Sequence, residues 1–382
     1  MKSKQVLTCA FILGTRPEAI KLAPVFLAMQ AHPDLYRPLL WVTGQHHELI
    51  YQVLDVFGLK PDADLALMQP NQSQTMLVGM VLQALDPLIV AERPDWILVQ
   101  GDTSSALAGA LAGFYSRIPV AHVEAGLRTY DLAAPFPEEG NRQLISRIAH
   151  LHCTPTAHAT ERLLQEHIIR EHIVETGNTV IDAIQWVAMR HESLPLALNN
   201  WCQMNPTPRW VLTTLHRRES FGTPLTGMLE AIRTLADDAQ LNLVFVFPVH
   251  PNPNVQTIVH RILGQHPRIA LLAPLSYPEL AAVLLKSWLV ITDSGGLQEE
   301  APSLHKPVLV LRNVTERPEG VETGAAELVG TDPEALIFSV KRLATDSERY
   351  EQMVSAVNPY GNGLAASAIL LAILAASAEL KY

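Results

Sequence analysis

The chain has 382 residues, of which 48% are hydrophobic and 17% charged, as is typical of a globular protein with roughly two domains. The formal net charge of −10 argues against a nucleic-acid-binding protein, which needs a basic face. Three widely spaced cysteines without a CxxC pair predict free thiols in a reducing cytoplasm. We expect no metal site, because the histidines form neither an HExxH motif nor a cluster with cysteine.

The first segment is an apolar run, Val6–Leu13, preceded by two lysines. It is too short for a signal peptide, and Gly-Thr-Arg-Pro-Glu follows where a cleavage site of small residues would stand. We therefore predict a buried first strand. We expect no segment long enough to span a membrane and predict a cytoplasmic protein.

Short apolar runs alternate with longer helical stretches along the chain. The runs are apolar throughout rather than alternating, which is typical of parallel strands covered on both faces. Strand–helix repetition of this kind predicts an α/β protein made of doubly wound, Rossmann-like lobes. The predicted strands are Val6–Leu13, Leu39–Val42, Trp96–Val99, Val120–Val123, Trp210–Thr213, Leu243–Phe247, Ile269–Leu272, Leu289–Thr292 and Val308–Leu311.

One interruption divides the series. A stretch rich in proline and asparagine precedes Trp210 and indicates a hinge near residues 177–209. We predict a first lobe of residues 1–177 and a second of residues 178–362, with ligand bound in the cleft between them. The terminal segment, residues 363–382, is a strongly apolar helix that we expect to pack on the first lobe. Ligands in such sheets bind beyond the carboxyl ends of the strands.

The segment WLVITDSGGLQEEAPSL gives the most informative phosphate signal. A buried strand ends, Gly295 and Gly296 follow, and a helix is predicted to open at Leu297, so that unobstructed N–H groups can bind a phosphate. Glu300 can accept hydrogen bonds from ribose hydroxyls, and Arg317 follows the next strand. A plain strand–helix turn is the alternative.

The segment GTRPEAIKLAP follows the first strand. Arg16 and Lys21 flank a turn in which Pro17 can open a helical turn and Pro24 a longer helix. Arginine binds a phosphate at two points and lysine adds a point charge. Solvated charges at a helix start are the alternative.

Two further strand ends carry polar residues. Asp102 follows Gly101 and can be either a reactive carboxylate or simply the N-cap of the next helix. In TTLHRRESFG, His216 and the two arginines after it can hold a leaving diphosphate, with a solvated loop as the alternative. His250 lies in a proline-rich turn at another strand end.

Carboxylates collect in the segment HVEAGLRTYDLAAPFPEEGNR, which has no clean helical or strand period and is predicted to be a loop. Its acidic residues include Glu124, Glu138 and Glu139. Such a group of carboxylates suits acid–base chemistry, whereas other segments of the chain can hold phosphate. For Glu124, an ion pair with Arg128 is the alternative.

Ten motifs along the chain, several of them described above, together resemble those of the non-hydrolysing UDP-N-acetylglucosamine 2-epimerases. The resemblance covers residues 8 to about 363. The resemblance implies a two-lobed fold of the GT-B type, interconversion of UDP-N-acetylglucosamine and UDP-N-acetylmannosamine, no metal or redox cofactor, and a homodimer. The motifs, in chain order, are GTRPEAIKLAP, QHHE, GDT, HVEAGLRT, PFPEEGNR, TGNTVIDA, HRRESFG, PVHPNPN, DSGGLQEEAPSL and TERPEG.

The resemblance also implies roles for individual residues. The expected catalytic residues are Asp102, Glu124, Glu138 and His216. The expected nucleotide-sugar contacts are Arg16, Lys21, Ser294, Gly295, Gly296, Glu300 and Arg317.

The sequence departs from the family pattern at several positions. Leu215 replaces a glycine, and Leu275 and Leu280 stand where relatives carry glutamine and phenylalanine, which weakens the contacts expected there. The QHHE segment and Asn71 differ at a second pocket through which some relatives are activated by substrate. The alternatives are a hydrolysing epimerase that releases UDP, an epimerase of a modified UDP-sugar, and a non-catalytic nucleotide-sugar sensor.

Overall fold

The computed structural model describes residues 6–44, 47–69, 72–191, 193–198, 201, 208–217 and 221–380. Gln45 and His46 of the QHHE segment, Asn71, and Arg218 lie outside these residues. The chain divides into two compact units, Met1–Ala183 with Tyr360–Tyr382, and Ile184–Pro359. Each unit is built around one parallel sheet.

The sheet of the first unit has seven strands in the described part of the chain, in the order β3-β2-β1-β4-β5-β6-β7. Every neighbouring pair is parallel. The strands are β1 (Leu7–Leu13), β2 (Tyr36–Val42), β3 (Ala63–Asp64), β4 (Trp96–Gln100), β5 (Val120–Val123), β6 (Leu151–Thr154) and β7 (Ile173–Glu175).

The sheet of the second unit has six strands, again counted over described residues, in the order β10-β9-β8-β11-β12-β13. It too is parallel throughout. The strands are β8 (Arg209–Thr214), β9 (Leu243–Pro248), β10 (Ile269–Leu272), β11 (Ser287–Thr292), β12 (Val308–Val310) and β13 (Ala326–Leu328).

Helices cover both sheets. Those from the first sheet to the junction are α1 (Arg16–Gln30), α2 (His47–Phe57), α3 (Gln74–Glu92), α4 (Ser104–Tyr115), α5 (Glu138–Ile148), α6 (Ala157–Gln165) and α7 (Thr179–Ala188). Those that follow are α8 (Thr223–Asp237), α9 (Pro253–Leu263), α10 (Tyr277–Lys286), α11 (Gly295–Ser303), α12 (Pro318–Glu322), α13 (Pro333–Thr345), α14 (Ser347–Val354) and α15 (Ala365–Glu379).

Both sheets share one strand order. Counted from the first strand of each sheet, the order begins 3-2-1-4-5-6, which is that of a Rossmann fold. The chain direction across the sheet reverses between β1 and β4 in the first unit and between β8 and β11 in the second. Ligands of open α/β sheets bind beyond the carboxyl ends of the strands at such switch points, which directs attention to the loops after these four strands.

The prediction of parallel sheets in two Rossmann-like units is confirmed. All nine predicted strands are present, with ends that shift by a few residues. Two helix starts differ from the prediction: α11 begins at Gly295 rather than at Leu297, and Pro24 lies inside α1 instead of opening a second helix.

The apolar C-terminal helix belongs to the first unit. The Tyr36 hydroxyl donates a hydrogen bond of 2.7 Å to the carbonyl of Leu370, and the Trp96 indole donates one of 2.8 Å to Ser377 Oγ. The carboxylate of Asp182 accepts the first N–H groups of α15. Eleven of the first twelve residues of this helix are Ala, Leu or Ile, so it needs this packing.

Helix α3 contradicts the expectation that no segment reaches membrane-spanning length. It has 19 residues and a mean hydropathy of 1.5, enough by length and composition to cross a bilayer. One face packs in the core of the first unit through Leu77, Val81, Leu85 and Ile89. An apolar helix packed on one face in this way also occurs in soluble proteins.

Candidate active site

The loop after β1 is fixed by a buried carboxylate. Glu18 is 1% exposed, and its Oε2 accepts the N–H groups of Gly14 at 2.8 Å and Thr15 at 2.5 Å, which forms a capping box at the start of α1. Arg16 is the first residue of the helix and forms no ion pair with any other described residue. A cation at a helix N-terminus is electrostatically unfavourable, so a bound anion would offset this conflict.

Glu18 also holds the loop after β4. Thr103 donates its hydroxyl to Glu18 Oε1 at 2.5 Å and accepts the N–H of Ala106 at 3.1 Å, so Thr103 is the N-cap of α4. The alternative in which Asp102 serves as this cap is therefore wrong. Burial raises the pKa of Glu18 to about 7, against the hydrogen bonds that favour its ionised form.

The side chain of Asp102 forms an ion pair with Arg142. Both Nε and Nη2 of Arg142 lie 2.7 Å from its Oδ2, and Asn141 Nδ2 donates to its carbonyl at 2.8 Å. The preceding residue, Gly101, has a φ of 69° and its carbonyl lies 2.7 Å from Nε2 of His122. Burial lowers the pKa of His122 to about 4, so a neutral ring donates from Nε2 and fixes the turn that carries Asp102.

Glu124 follows β5 with an unusual backbone conformation. Its φ is 62°, in the left-handed region of backbone conformation that residues other than glycine, asparagine and aspartate rarely adopt. It forms an ion pair with Lys21 of α1. Arg128 instead places Nε 2.7 Å and Nη2 3.0 Å from the carboxylate of Glu166, so the predicted alternative of a Glu124–Arg128 pair does not describe this loop. Uncommon backbone geometry of this kind concentrates at functional sites.

The two adjacent glutamates at the start of α5 have different surroundings. Glu139 accepts N–H groups from Thr129 at 3.0 Å and Tyr130 at 3.2 Å, and the amide of Gln143 at 2.9 Å. Although burial opposes ionisation, these hydrogen bonds lower the pKa of Glu139. Glu138 presents a buried Oε2 that has no hydrogen-bond partner among the described residues. A buried carboxylate oxygen left open in this way is available to a ligand.

The three predicted carboxylates of the first unit lie at one edge of its sheet. Asp102 and Glu124 follow the neighbouring strands β4 and β5, which are joined there by a 3.0 Å hydrogen bond from the N–H of Gly101 to Val123. Glu138 lies on α5, the helix whose next turn contacts Asp102. Arg16 and Lys21, on α1, follow β1 at the same switch point.

In the second unit, α11 begins with an uncapped N-terminus. Ser294 is the N-cap residue, but its side chain makes no capping hydrogen bond. Gly295 and Gly296 are the first helical residues, and a Cβ atom on Gly295 would lie 3.6 Å from Cζ of Arg317. The free N–H groups and the guanidinium beside them can bind a phosphate at this helix start.

Two carboxylates of α11 have different partners. Glu299 accepts from Nε of Arg317 at 2.7 Å and so orients the guanidinium. Glu300 is 6% exposed and accepts the hydroxyl of Tyr277 at 2.9 Å, with its other oxygen next to Gly296. Glu300 thus lies one turn into the helix, as predicted for a residue that binds ribose hydroxyls.

The loop after β8 lies beside the loop after β11. The N–H groups of His216 and Arg217 donate to Oδ2 of Asp293 at 2.7 and 2.8 Å. The His216 ring stacks on His250, with centroids 5.5 Å apart and planes 16° from parallel. Nε of Arg217 is buried without a hydrogen-bond partner in the described part of the chain, which suits an anionic ligand. Leu215, which precedes them, is buried in the core.

Several residues of the site were missed by sequence reasoning, because their contacts come from residues far apart in the chain. Arg142 stands in the acidic segment itself, so a search for a cation near Asp102 could have found it. The others give no local signal. They are Glu18, His122, Tyr277 and Asp293.

Two Rossmann-like sheets, one with carboxylates and the other with a glycine-rich helix start at its switch point, are typical of enzymes that bind nucleotides. The sequence model of the UDP-N-acetylglucosamine 2-epimerase family matches residues 28–374. The chain is 46% identical over 366 residues to UDP-N-acetylglucosamine 2-epimerase of Escherichia coli (strain K12), which covers 95% of this chain and 97% of that protein.

Solved structures agree. A putative UDP-N-acetylglucosamine 2-epimerase from Listeria monocytogenes has a TM-score of 0.92 and 42% identity over 99% of this chain and 98% of that one. UDP-GlcNAc 2-epimerase from Neisseria meningitidis bound to UDP-GlcNAc has a TM-score of 0.83 and 39% identity, covering 97% and 100%. The chain therefore belongs to the UDP-N-acetylglucosamine 2-epimerase family, an enzyme family with a GT-B-like fold, which confirms the resemblance and sets aside the non-catalytic sensor.

Proposed function

We propose that the protein interconverts UDP-N-acetylglucosamine and UDP-N-acetylmannosamine by eliminating UDP to a 2-acetamidoglucal and adding it back, without net hydrolysis. The observation that carries the proposal is the open, buried oxygen of Glu138 in a group of carboxylates that are otherwise held by cations and hydrogen bonds. A relative of 39% identity binds UDP-GlcNAc, which supports this substrate class.

The chemistry explains why carboxylates and cations occupy separate loops. The hydrogen on C2 of the sugar is not beside a carbonyl and is scarcely acidic. If the bond from C1 to the UDP oxygen breaks ahead of proton loss, positive charge develops at C1 and a carboxylate can remove the C2 proton. The bond's electron pair leaves with UDP, and protonation of the opposite face of C2 followed by re-addition gives the epimer. Acid–base groups must surround the sugar, and positive charge must surround the diphosphate.

Each group of residues then has a role. Asp102, Glu124 and Glu138 supply the acid–base groups for the two faces of C2, and His216 stabilises the departing UDP. The N–H groups of Gly295 and Gly296 and the hydroxyl of Ser294 bind phosphate, Glu300 binds ribose, and Arg16, Lys21 and Arg317 add positive charge. No step is assigned to a metal or a redox cofactor.

We also propose a homodimer formed through α3 and α4 with a second copy of the chain. The outward face of these helices exposes Val90 by 64%, Phe114 by 53% and Tyr115 by 72%. An apolar patch of this kind is typical of an interface between subunits. Sedimentation should give a dimer for the wild type, and Tyr115→Lys should shift it towards the monomer. A wild-type monomer at micromolar concentration would contradict the proposal.

The proposed location is the cytoplasm. Cys9 and Cys153 are buried free thiols, and burial raises the pKa of Cys153 to about 12. Unreactive thiols of this kind suit a reducing compartment. Cell fractionation with antibody detection would test the location, and recovery in the membrane fraction after a high-salt wash would contradict it.

Incubation with UDP-N-acetylglucosamine in heavy water, followed by proton NMR, tests the function. We expect UDP-N-acetylmannosamine with deuterium at C2 and little free UDP. Free UDP that accumulates one-for-one with free N-acetylmannosamine would indicate the hydrolysing alternative. No change in the sugar would contradict both, and a panel of UDP-sugars modified on the hexose would then test the remaining alternative.

A further inference from the structure

Asp293 is a buried carboxylate next to a residue of the proposed diphosphate site. It follows β11 and has no exposed surface. Its Oδ2 accepts the N–H groups of both His216 and Arg217. Two donors on one oxygen fix the orientation of the carboxylate, because rotating it would leave two backbone N–H groups without an acceptor.

The second oxygen of Asp293 faces the imidazole of His216. Nδ1 of His216 lies 2.8 Å from Oδ1, within ion-pair distance, and Oδ1 forms no hydrogen bond with any described residue, so it is open to this donor. A carboxylate is an acceptor, so the ring nitrogen that faces it carries a proton. The proton on Nδ1 leaves Nε2 as the nitrogen directed to a ligand, and the His216 side chain is 33% exposed.

His250 covers one face of the same ring without competing for Asp293. Its Nδ1 accepts the N–H of Asn252 at 3.2 Å. Burial and the neighbouring His216 lower the pKa of His250, which favours a neutral ring in the stack. A neutral neighbour does not repel a positive charge on His216.

We propose that Asp293 is a positioning residue that sets the tautomer of His216 and presents its Nε2 to the diphosphate of the substrate. The proposal rests on the function proposed above. When the bond to C1 breaks, its electron pair stays on the β-phosphate oxygen of UDP. On binding of the diphosphate, Nε2 of His216 takes a second proton from solvent and donates this N–H to that oxygen, while Asp293 offsets the charge of the ring.

The proposal separates two roles of one side chain. Oδ2 organises the backbone of the loop after β8, whereas Oδ1 fixes the histidine proton. Asp293→Asn distinguishes them, because the amide oxygen must take the place of Oδ2 to satisfy the two N–H groups. The amide NH2 group then faces Nδ1, which must become an acceptor, and the proton of the neutral ring moves to Nε2.

Two measurements follow. Nitrogen-15 NMR of histidine-labelled protein, with His216→Asn for assignment, should give the Nδ1–H tautomer in the wild type and the Nε2–H tautomer in Asp293→Asn. In turnover of UDP-N-acetylglucosamine, kcat should fall by about 100-fold or more in Asp293→Asn, with little change in KM; about 10⁴-fold is known for the equivalent change in a serine protease.

Asp237→Asn is the matched control. Asp237, in the same unit, lies 2.9 Å from Nε2 of His266, and its side chain is 64% exposed. It is the last residue of α8 and so lies away from the carboxyl ends of the strands. Its replacement should leave kcat and the His216 signals unchanged.

The outcomes separate this inference from the proposed function. The Nε2–H tautomer in wild-type His216, or a reversed tautomer in Asp293→Asn with an unchanged kcat, would overturn the inference. If wild-type His216 has the Nδ1–H tautomer but the protein does not convert UDP-N-acetylglucosamine, the proposed function fails while the assignment of the tautomer holds. If Asp293→Asn does not fold, the wild-type tautomer decides.

Discussion

The switch points of the two sheets have the same topology but different chemistry. In the first unit, the loops after β4 and β5 carry carboxylates that pair with cations on helices: Asp102 with Arg142 of α5, and Glu124 with Lys21 of α1. In the second unit, the loops after β8 and β11 carry backbone N–H groups, either bound to Asp293 or open at the start of α11.

The difference shows how one fold can supply two kinds of electrostatics. Side chains can present a carboxylate to a sugar, and cations or hydrogen bonds at most of the neighbouring carboxylates limit the repulsion between them. Backbone N–H groups at a helix start carry partial positive charge without a side chain, but they require glycine so that the ligand can approach. This difference fits the proposed division of roles, in which the first unit transfers protons and the second binds phosphate.

The largest effect that would test this division is expected from Asp102→Asn. The amide keeps the shape of the side chain but removes its charge, so kcat should fall by about 1,000-fold or more. UDP affinity, measured by calorimetry, should stay unchanged, because the N–H groups proposed to bind phosphate lie in the second unit. Asp131→Asn, an exposed carboxylate in the same acidic segment, is the control. Wild-type rates in Asp102→Asn would show that this carboxylate is not catalytic.

The adjacent glutamates of α5 give the next largest effect and sharpen the comparison within the first unit. Glu138→Gln should lower kcat by about 100-fold without loss of stability, since its open oxygen holds nothing in the fold. Glu139→Gln should lower the free energy of unfolding by about 1–3 kcal/mol, because its two oxygens accept different backbone N–H groups and an amide can replace only one of them.

Steady-state kinetics would measure kcat, and urea denaturation the free energy of unfolding, for both variants. The reverse pattern, with Glu138→Gln unstable and Glu139→Gln inactive but stable, would exchange the roles assigned to the two residues.

A smaller effect is expected in the second unit from Gly295→Ala. The added methyl group would lie 3.6 Å from Cζ of Arg317, an ordinary contact, so the fold should tolerate it. It would crowd the helix N-terminus, and loss of one charge-assisted hydrogen bond should raise the Kd for UDP by about tenfold. Gly79→Ala, at a helix position with open space around it, should leave UDP binding unchanged. Equal affinities for Gly295→Ala and the wild type would remove phosphate binding from this helix start.

The smallest effect concerns the pH dependence of stability. Because the pKa of Glu18 is raised from 4.5 to about 7 in the folded state, the folded protein favours the protonated form. Its contribution to stability should be greatest below pH 4.5, decline as the pH rises towards about 7, and level off above that. Glu18→Gln should remove this decline, as measured by urea denaturation across that range. An unchanged slope would mean that the carboxyl does not titrate there.

The sequence predicted the sheets well, because strands buried on both faces are apolar throughout. Strand β1, for example, needs no knowledge of its partners to be recognised. The strands that were missed are short or polar: β6 reads LHCT, and β3 has two residues. Their pairing depends on neighbouring strands rather than on their own composition.

For the site, the sequence could indicate residues but not their partners. Motif position alone indicated Glu138 rather than Glu139, and the hydrogen bonds that separate the two come from Thr129 and Tyr130 across a loop without periodicity. His216 and Asp293 are 77 positions apart in the sequence. Their contact depends on β8 lying next to β11 in the sheet. The sheet order, which no local pattern encodes, creates these pairs.

The left-handed backbone of Glu124 has a consequence for engineering. A screen for thermal tolerance would favour glycine at this position, because glycine adopts a φ of 62° without the cost of about 1–2 kcal/mol that a side chain incurs there. Such a replacement would remove the carboxylate and its bond to Lys21. Selection for thermal stability and selection for activity would thus favour different residues at position 124. A library designed for thermostable variants should therefore keep Glu124 unchanged.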